Sequence, residues 1–114
     1  MLKWSKVFSA LSNETRLRIF LLLLQENLCV CEIISITGIE QSLVSHSLKE
    51  LSNCQLVQSK RESQRIRYFV PSEILQNSVI RSIQKEILLS KDDLKKLKLV
   101  KKFPVRSIKN ERKI

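Results

Sequence analysis

Glycine occurs once in these 114 residues, proline twice and histidine once. So few breakers exclude a sandwich or barrel of many short strands and favour helices with short connections. The longest strongly apolar run, Ile19–Leu24, is six residues, far short of the ~20 that span a bilayer. The amphipathic start, MLKWSKVFSAL, lacks the continuous apolar core of a secretory leader, so a cytoplasmic protein with no membrane partner is expected. Nor does the chain hold a glycine-rich phosphate loop, acid/base carboxylates at a plausible spacing, or a histidine beside a cysteine nucleophile. It therefore reads as a non-enzyme, with no small-molecule substrate and no organic cofactor.

What is abundant is positive charge. The net charge is +10, of which +7 falls in residues 91–114, where 10 Lys/Arg face 3 Asp/Glu. Two regions follow: a domain over 1–90 and a basic C-terminal extension over 91–114. Such a balance implies an anionic partner, nucleic acid first among them, or a solvated tail.

The helical periods are clear. Lys3–Leu11 is one helix, with Trp4, Val7, Phe8 and Leu11 on one side. Ser12 and Asn13 precede a second, Glu14–Gln25, apolar nearly all round and so central. A short third helix over Val30–Ile36 leads into Thr37-Gly38-Ile39, and a fourth spans Gln41–Asn53 with Val44, Leu48 and Leu51 buried. The only glycine thus falls where a turn between two helices needs positive φ. This spacing is a helix-turn-helix. Alternation on both sides of Glu62-Ser63-Gln64 then gives a two-stranded wing, with Ile66, Tyr68 and Val70 inward and Arg65 and Arg67 outward. A fifth helix is expected from Ser72 or Glu73 to about Leu89, a sixth over Lys91–Lys102, and fraying from Phe103 on. The fold class is mainly α with a β-hairpin wing: a winged helix-turn-helix. The apolar fifth helix and the Trp4–Leu11 helix would be buried by a twofold mate, giving a homodimer. Leu94, Leu97 and Val100 extend that contact, or the tail's lysines meet DNA.

On the fourth helix Ser42, Ser45, His46 and Lys49 share the face opposite the buried stripe, and Gln41 stands at its start, where a recognition helix meets base edges. Lys60, Arg61, Arg65 and Arg67 make the wing basic and suit phosphate contact. Arg16 and Arg18 add charge on the second helix, for DNA or for a local ion pair. Double-stranded operator DNA is the partner these residues describe.

Cys29 and Cys31 would lie ~200° apart inside a regular helix, but converge if Cys29 stays extended ahead of the first turn. A helix N-terminus favours thiolate, and thiolates suit soft ions: As(III), Sb(III), Cd(II). Two small hydrophobes or a redox pair are the other readings. Cys54 is read as core.

The segments FSALSNETRLRIFLLL, LCVCEI, SLVSHSLKEL and RESQRIRYF, in this order, resemble the ArsR/SmtB family of metal- and metalloid-responsive repressors. The resemblance implies a homodimer joined through its first and last helices, and an operator grip that weakens when an inducer binds. It matches Cys29 and Cys31 to the family's ligand pair. The third cysteine of many arsenic sensors is here Ile34, and the Asp/His pair of zinc-responsive members is absent. The function so read is a DNA-binding repressor released by a thiophilic metal or metalloid at Cys29/Cys31. The alternatives are a redox-responsive or effector-independent winged-helix regulator, and a winged-helix architectural or protein-interaction module.

Overall fold

The computed structural model describes residues 2–102, so the expected fraying and the tail beyond 102 lie outside the described residues. The order is α1 (Trp4–Leu11), α2 (Glu14–Gln25), β1 (Leu28–Cys29), α3 (Val30–Thr37), α4 (Gln41–Asn53), β2 (Gln58–Glu62), β3 (Arg65–Phe69), α5 (Ser72–Leu75), α6 (Ser78–Glu86) and α7 (Lys91–Lys102).

The Asn13 side chain starts α2 by accepting the Arg16 N–H at 3.0 Å, and Glu14 sits in the first turn. All six residues from Ile19 to Leu24 are buried, so α2 runs through the middle of the core. Val7 of α1, Ile33 and Ile36 of α3, and Val44, Leu48 and Leu51 of α4 pack with it. α3 ends on Gly38, whose φ of 74° lets its N–H reach the Ile34 carbonyl at 2.8 Å. A Cβ at this position would meet nothing within 4 Å, so substitution is opposed by backbone strain alone. Gly38→Ala is expected to cost about 1 kcal/mol, read as a shift in urea midpoint with unchanged slope.

The wing turns at Ser63 and Gln64, with Ser63 at φ 60°. Its second strand pairs on both sides, giving the antiparallel order β1-β3-β2 with Cys29 opposite Arg67 and Lys60 opposite Arg67 on the other edge. β1 is not visible as a pattern in the sequence. It covers part of the outer face of β3, while Tyr68 and Val70 stay against the core as expected. Ile66 is 41% exposed, whereas the Arg67 side chain, expected to point outward, is turned in against the start of α3. The reason is that Asn27, just before β1, and Glu32 of α3 offer it a carbonyl and a carboxylate there.

The expected long fifth helix is two helices. Asn77 accepts from the N–H groups of Val79 and Ile80, at 2.9 and 3.2 Å, and starts α6 afresh. α6 ends at Glu86, with Ile87 extended at its C-terminal end. Phe8, Val79, Ile87 and Leu88 remain exposed, the last at 76%. α7 lies along α3, burying Leu97 and Val100. Asp93 anchors it by taking Arg18 Nε and Nη2 at 2.7 and 2.8 Å, while Arg18 also donates to the Thr37 carbonyl. Arg16 donates to the Ala10 carbonyl. Both arginines of α2 therefore serve intramolecular contacts. No helix among the described residues is long and apolar enough to cross a membrane.

Candidate DNA-reading surface and thiol pair

α3 stands behind α4, packed through buried Ile33 and Ile36 against Val44 and Leu48. That support presents one face of α4 outward. Gln41, Ser42, Ser45, His46 and Lys49 are all exposed on it. The helical period alone does not single out Leu43, which is exposed beside them and offers an apolar contact of the kind that meets a thymine methyl. On the wing Lys60 and Arg61 are exposed. Arg65 and Arg67 are not displayed in the same way.

Arg67 is fixed from three sides. Its Nε meets Glu62 at 2.9 Å, its Nη1 donates to the Asn27 carbonyl at 3.0 Å, and Nη1 lies 3.5 Å from Glu32 Oε1. Glu32, only 3% exposed, also accepts the Cys29 N–H at 3.0 Å, and the Cys29 side chain receives the Glu32 N–H in return. This reciprocal cap pins the start of α3. A cysteine takes the place usually filled by serine or threonine, which is why the sequence gives no conventional sign of it.

Held so, Cys29 is extended, with φ −91° and ψ 168°, and is the residue just before the helix. Its Sγ lies 2.9 Å from Cys31 Sγ. The convergence expected of an extended Cys29 is thus present. Two sulfurs bound tetrahedrally to one ion at ~2.3 Å would stand about 3.8 Å apart, so the pair needs to open by roughly 1 Å to hold one. The chemistry of the donors fits a soft ion as two ligands. Among the described residues no group of three His, Cys, Asp or Glu is placed to hold a metal ion.

The expectation that the helix N-terminus favours thiolate is overturned for Cys29. Burial pushes its thiol up to about 11, helped by the hydrogen bond with Cys31 and by the negative charges of Glu32 and Cys31. The Glu32 N–H acts the other way and is outweighed. Arg65 reaches the pair from the wing, its Nη1 3.4 Å from Cys31 Sγ and 3.8 Å from Cys29 Sγ. A cleft of about 310 Å³ opens here between the thiols, Ser45 of α4, and Gln64 and Arg65 of the wing. Cys54 is elsewhere: it ends α4, is buried, and donates to the Leu51 carbonyl at 3.4 Å. Burial raises its pKa as well.

Residues 13–59, from the cap of α2 into β2, match the family described as bacterial regulatory protein, arsR family. A transcriptional repressor SmtB homolog of Synechocystis is 32% identical over 73 residues, covering 64% of this chain and 55% of that protein. A cadmium resistance transcriptional regulatory protein CadC homolog of Staphylococcus aureus is 34% identical over 70 residues, covering 60% of this chain and 58% of that protein. The chain thus spans little more than half the length of these curated relatives. Among solved structures, a homodimeric winged helix-turn-helix DNA-binding domain from Mycobacterium bovis superposes with a TM-score of 0.63 at 29% identity, covering 71% of this chain and 74% of that one. The mainly helical fold, its wing and the match over α2 to β2 agree: residues 13–59 form an ArsR-type helix-turn-helix, set in a winged-helix fold like that of the solved ArsR-family relatives.

Proposed function

We propose that this chain is a homodimeric repressor whose hold on operator DNA is released when a thiophilic metal or metalloid binds Cys29 and Cys31. The observation that carries the reading is the pair of sulfurs 2.9 Å apart at the root of α3, the helix that supports the recognition helix. Cys29 is at once the cap of α3 and the β-partner of Arg67. Opening the pair to grip an ion therefore disturbs the sulfur's part in the cap of α3 and the Arg65 contact from the wing. An ion that binds this altered shape better than the DNA-competent one lowers operator affinity by the same factor that DNA lowers ion affinity.

Gln41, Ser42, Ser45, His46 and Lys49 supply the base and phosphate contacts, with Lys60 and Arg61 following the backbone. Arg65 and Arg67 join them only by leaving their present partners. Homodimerisation covers Phe8, Val79, Ile87 and Leu88, which are exposed among the described residues, and the solved relative from Mycobacterium bovis is named as homodimeric. A redox trigger is the second reading, favoured by the same short sulfur separation: a peroxide would take two electrons and two protons from the pair to leave a disulfide.

Fluorescence anisotropy on DNA from the chain's own promoter tests both. Arsenite, antimonite, Cd(II) and peroxide are titrated against the parent protein and against Cys29→Ser, Cys31→Ser and Cys54→Ser. At least one thiophile is expected to weaken parent binding about tenfold or more, the first two variants losing the response and Cys54→Ser keeping it. Equal responses from all four proteins would reject thiol sensing. Release by peroxide alone would favour the redox trigger. Equal affinity for promoter and unrelated DNA at all salt concentrations would favour an architectural module.

A further inference from the structure

The cleft at the thiol pair is unusual in its charge. Among the described residues its polar lining is Cys29, Cys31, Ser45, Gln64, Arg65 and Tyr68, none of them a carboxylate. Glu32, the acidic residue nearest in sequence, is occupied by the Cys29 N–H and stands beside Arg67. The formal charge that the described residues bring to the lining is the Arg65 guanidinium, 3.4 Å from Cys31 Sγ. Arginine stays protonated under all ordinary conditions and carries its donors in a planar fork.

Such a site discriminates between two kinds of thiophile. A divalent cation brings +2 charge toward a fixed guanidinium and finds no carboxylate to complete its shell. A trivalent metalloid hydroxide arrives neutral and already carries oxygen. With only two thiols offered, one hydroxyl remains on it. Resting on the thiol-capture reading above, we infer that Arg65 is a specificity-determining residue that holds this remaining hydroxyl, so that the site takes arsenous or antimonous acid in preference to Cd(II) or Zn(II). In the exchange two As–O bonds break and two As–S bonds form. The two thiol protons leave with the displaced hydroxyls as two waters, and no oxidation state changes. Arg65 donates to the third oxygen, a charge-assisted hydrogen bond that neither thiol can supply.

Because Arg65 stands on β3 just after the wing turn, the same contact ties an occupied cleft to the wing. The effector's chemistry and the element it disturbs are then set by one side chain.

The test is made without DNA. The full chain, Arg65→Met and Arg65→Lys are exposed to arsenite or Cd(II) in a thiol-free reductant, then labelled with iodoacetamide. Peptide mass spectrometry reads protection of Cys31, the more accessible thiol of the pair, and circular dichroism reads folding. Arg65→Met is expected to need about tenfold more arsenite for half-protection, with Cd(II) protection unchanged or improved. Arg65→Lys keeps the charge but loses the fork, and should fall between. If arsenite protection is unaffected, or if arsenite and Cd(II) weaken together, Arg65 does not select the effector. Should Arg65→Met not fold, the lysine variant decides on the same criterion. If neither reagent protects Cys31 of the parent protein, thiol capture itself is wrong and this inference goes with it.

Discussion

Iodoacetamide should modify Cys29 about 100-fold more slowly than an unhindered peptide thiol at pH 8. The thiolate is the reacting species, and each unit by which the pKa rises removes about nine-tenths of it at a pH well below the pKa. Cys29 is raised from 9.0 to about 11, first by burial and then by its hydrogen bond to Cys31. It is only 3% exposed, so access adds to the effect. The same shift has a consequence for stability. The folded-state pKa lies above the unfolded one, so folding favours the neutral thiol. That contribution is complete below about pH 9 and is lost as pH rises through about 11. Urea titrations across this window should show a decline larger by order 2 kcal/mol in the parent than in Cys29→Ala, which keeps only the contribution of buried Cys54. Peptide-resolved alkylation from pH 7 to 11 gives the direct reading. A Cys29 that alkylates at the free-thiol rate at pH 8 would mean that the capped, buried geometry does not persist in solution.

The pH behaviour was the part of the site least legible in the chain. Cys29 does sit at a helix start, as its neighbours suggest, and a helix start by itself favours thiolate. Burial wins here, and burial depends on β1 docking against β3, almost 40 positions downstream. A two-residue strand carries no period to read. By contrast α4 was readable to its ends, because a glycine fixes the preceding turn, and exposed and buried positions follow one helical period within a short window. Arg67 shows the limit of alternation. On a strand with two neighbours the outer face is also occupied, so a charged residue there finds Glu32 rather than water. The break at Asn77 did have a local sign, an asparagine two residues ahead of Val79, but the continuing apolar spacing on both sides masked it. The Arg18–Asp93 contact joins residues 75 apart in the chain and had no local sign at all.

Glu32 is where the thiol site and the wing meet, and its removal should be costly. Its Oε1 accepts the Cys29 N–H at 3.0 Å and faces Arg67 Nη1 at 3.5 Å, with 4% of the side chain exposed. Glu32→Ala leaves a buried N–H without its acceptor and a mostly buried guanidinium without one carboxylate. The expected loss is about 3 kcal/mol, at the lower end for breaking a buried pair because Arg67 keeps Glu62 and the Asn27 carbonyl. Arg67→Ala should cost about 2 kcal/mol, since Glu32 keeps the backbone donor. If the carboxylate truly couples the two elements, the losses are not additive: the double variant should be at least ~1 kcal/mol more stable than their sum. Urea unfolding of the four proteins measures this directly. Additivity within error would show that the cap of α3 and the strand of the wing are held independently. The thiol pair would then have no mechanical route to the wing through Glu32, and any coupling between them would have to run through Arg65 or through α4.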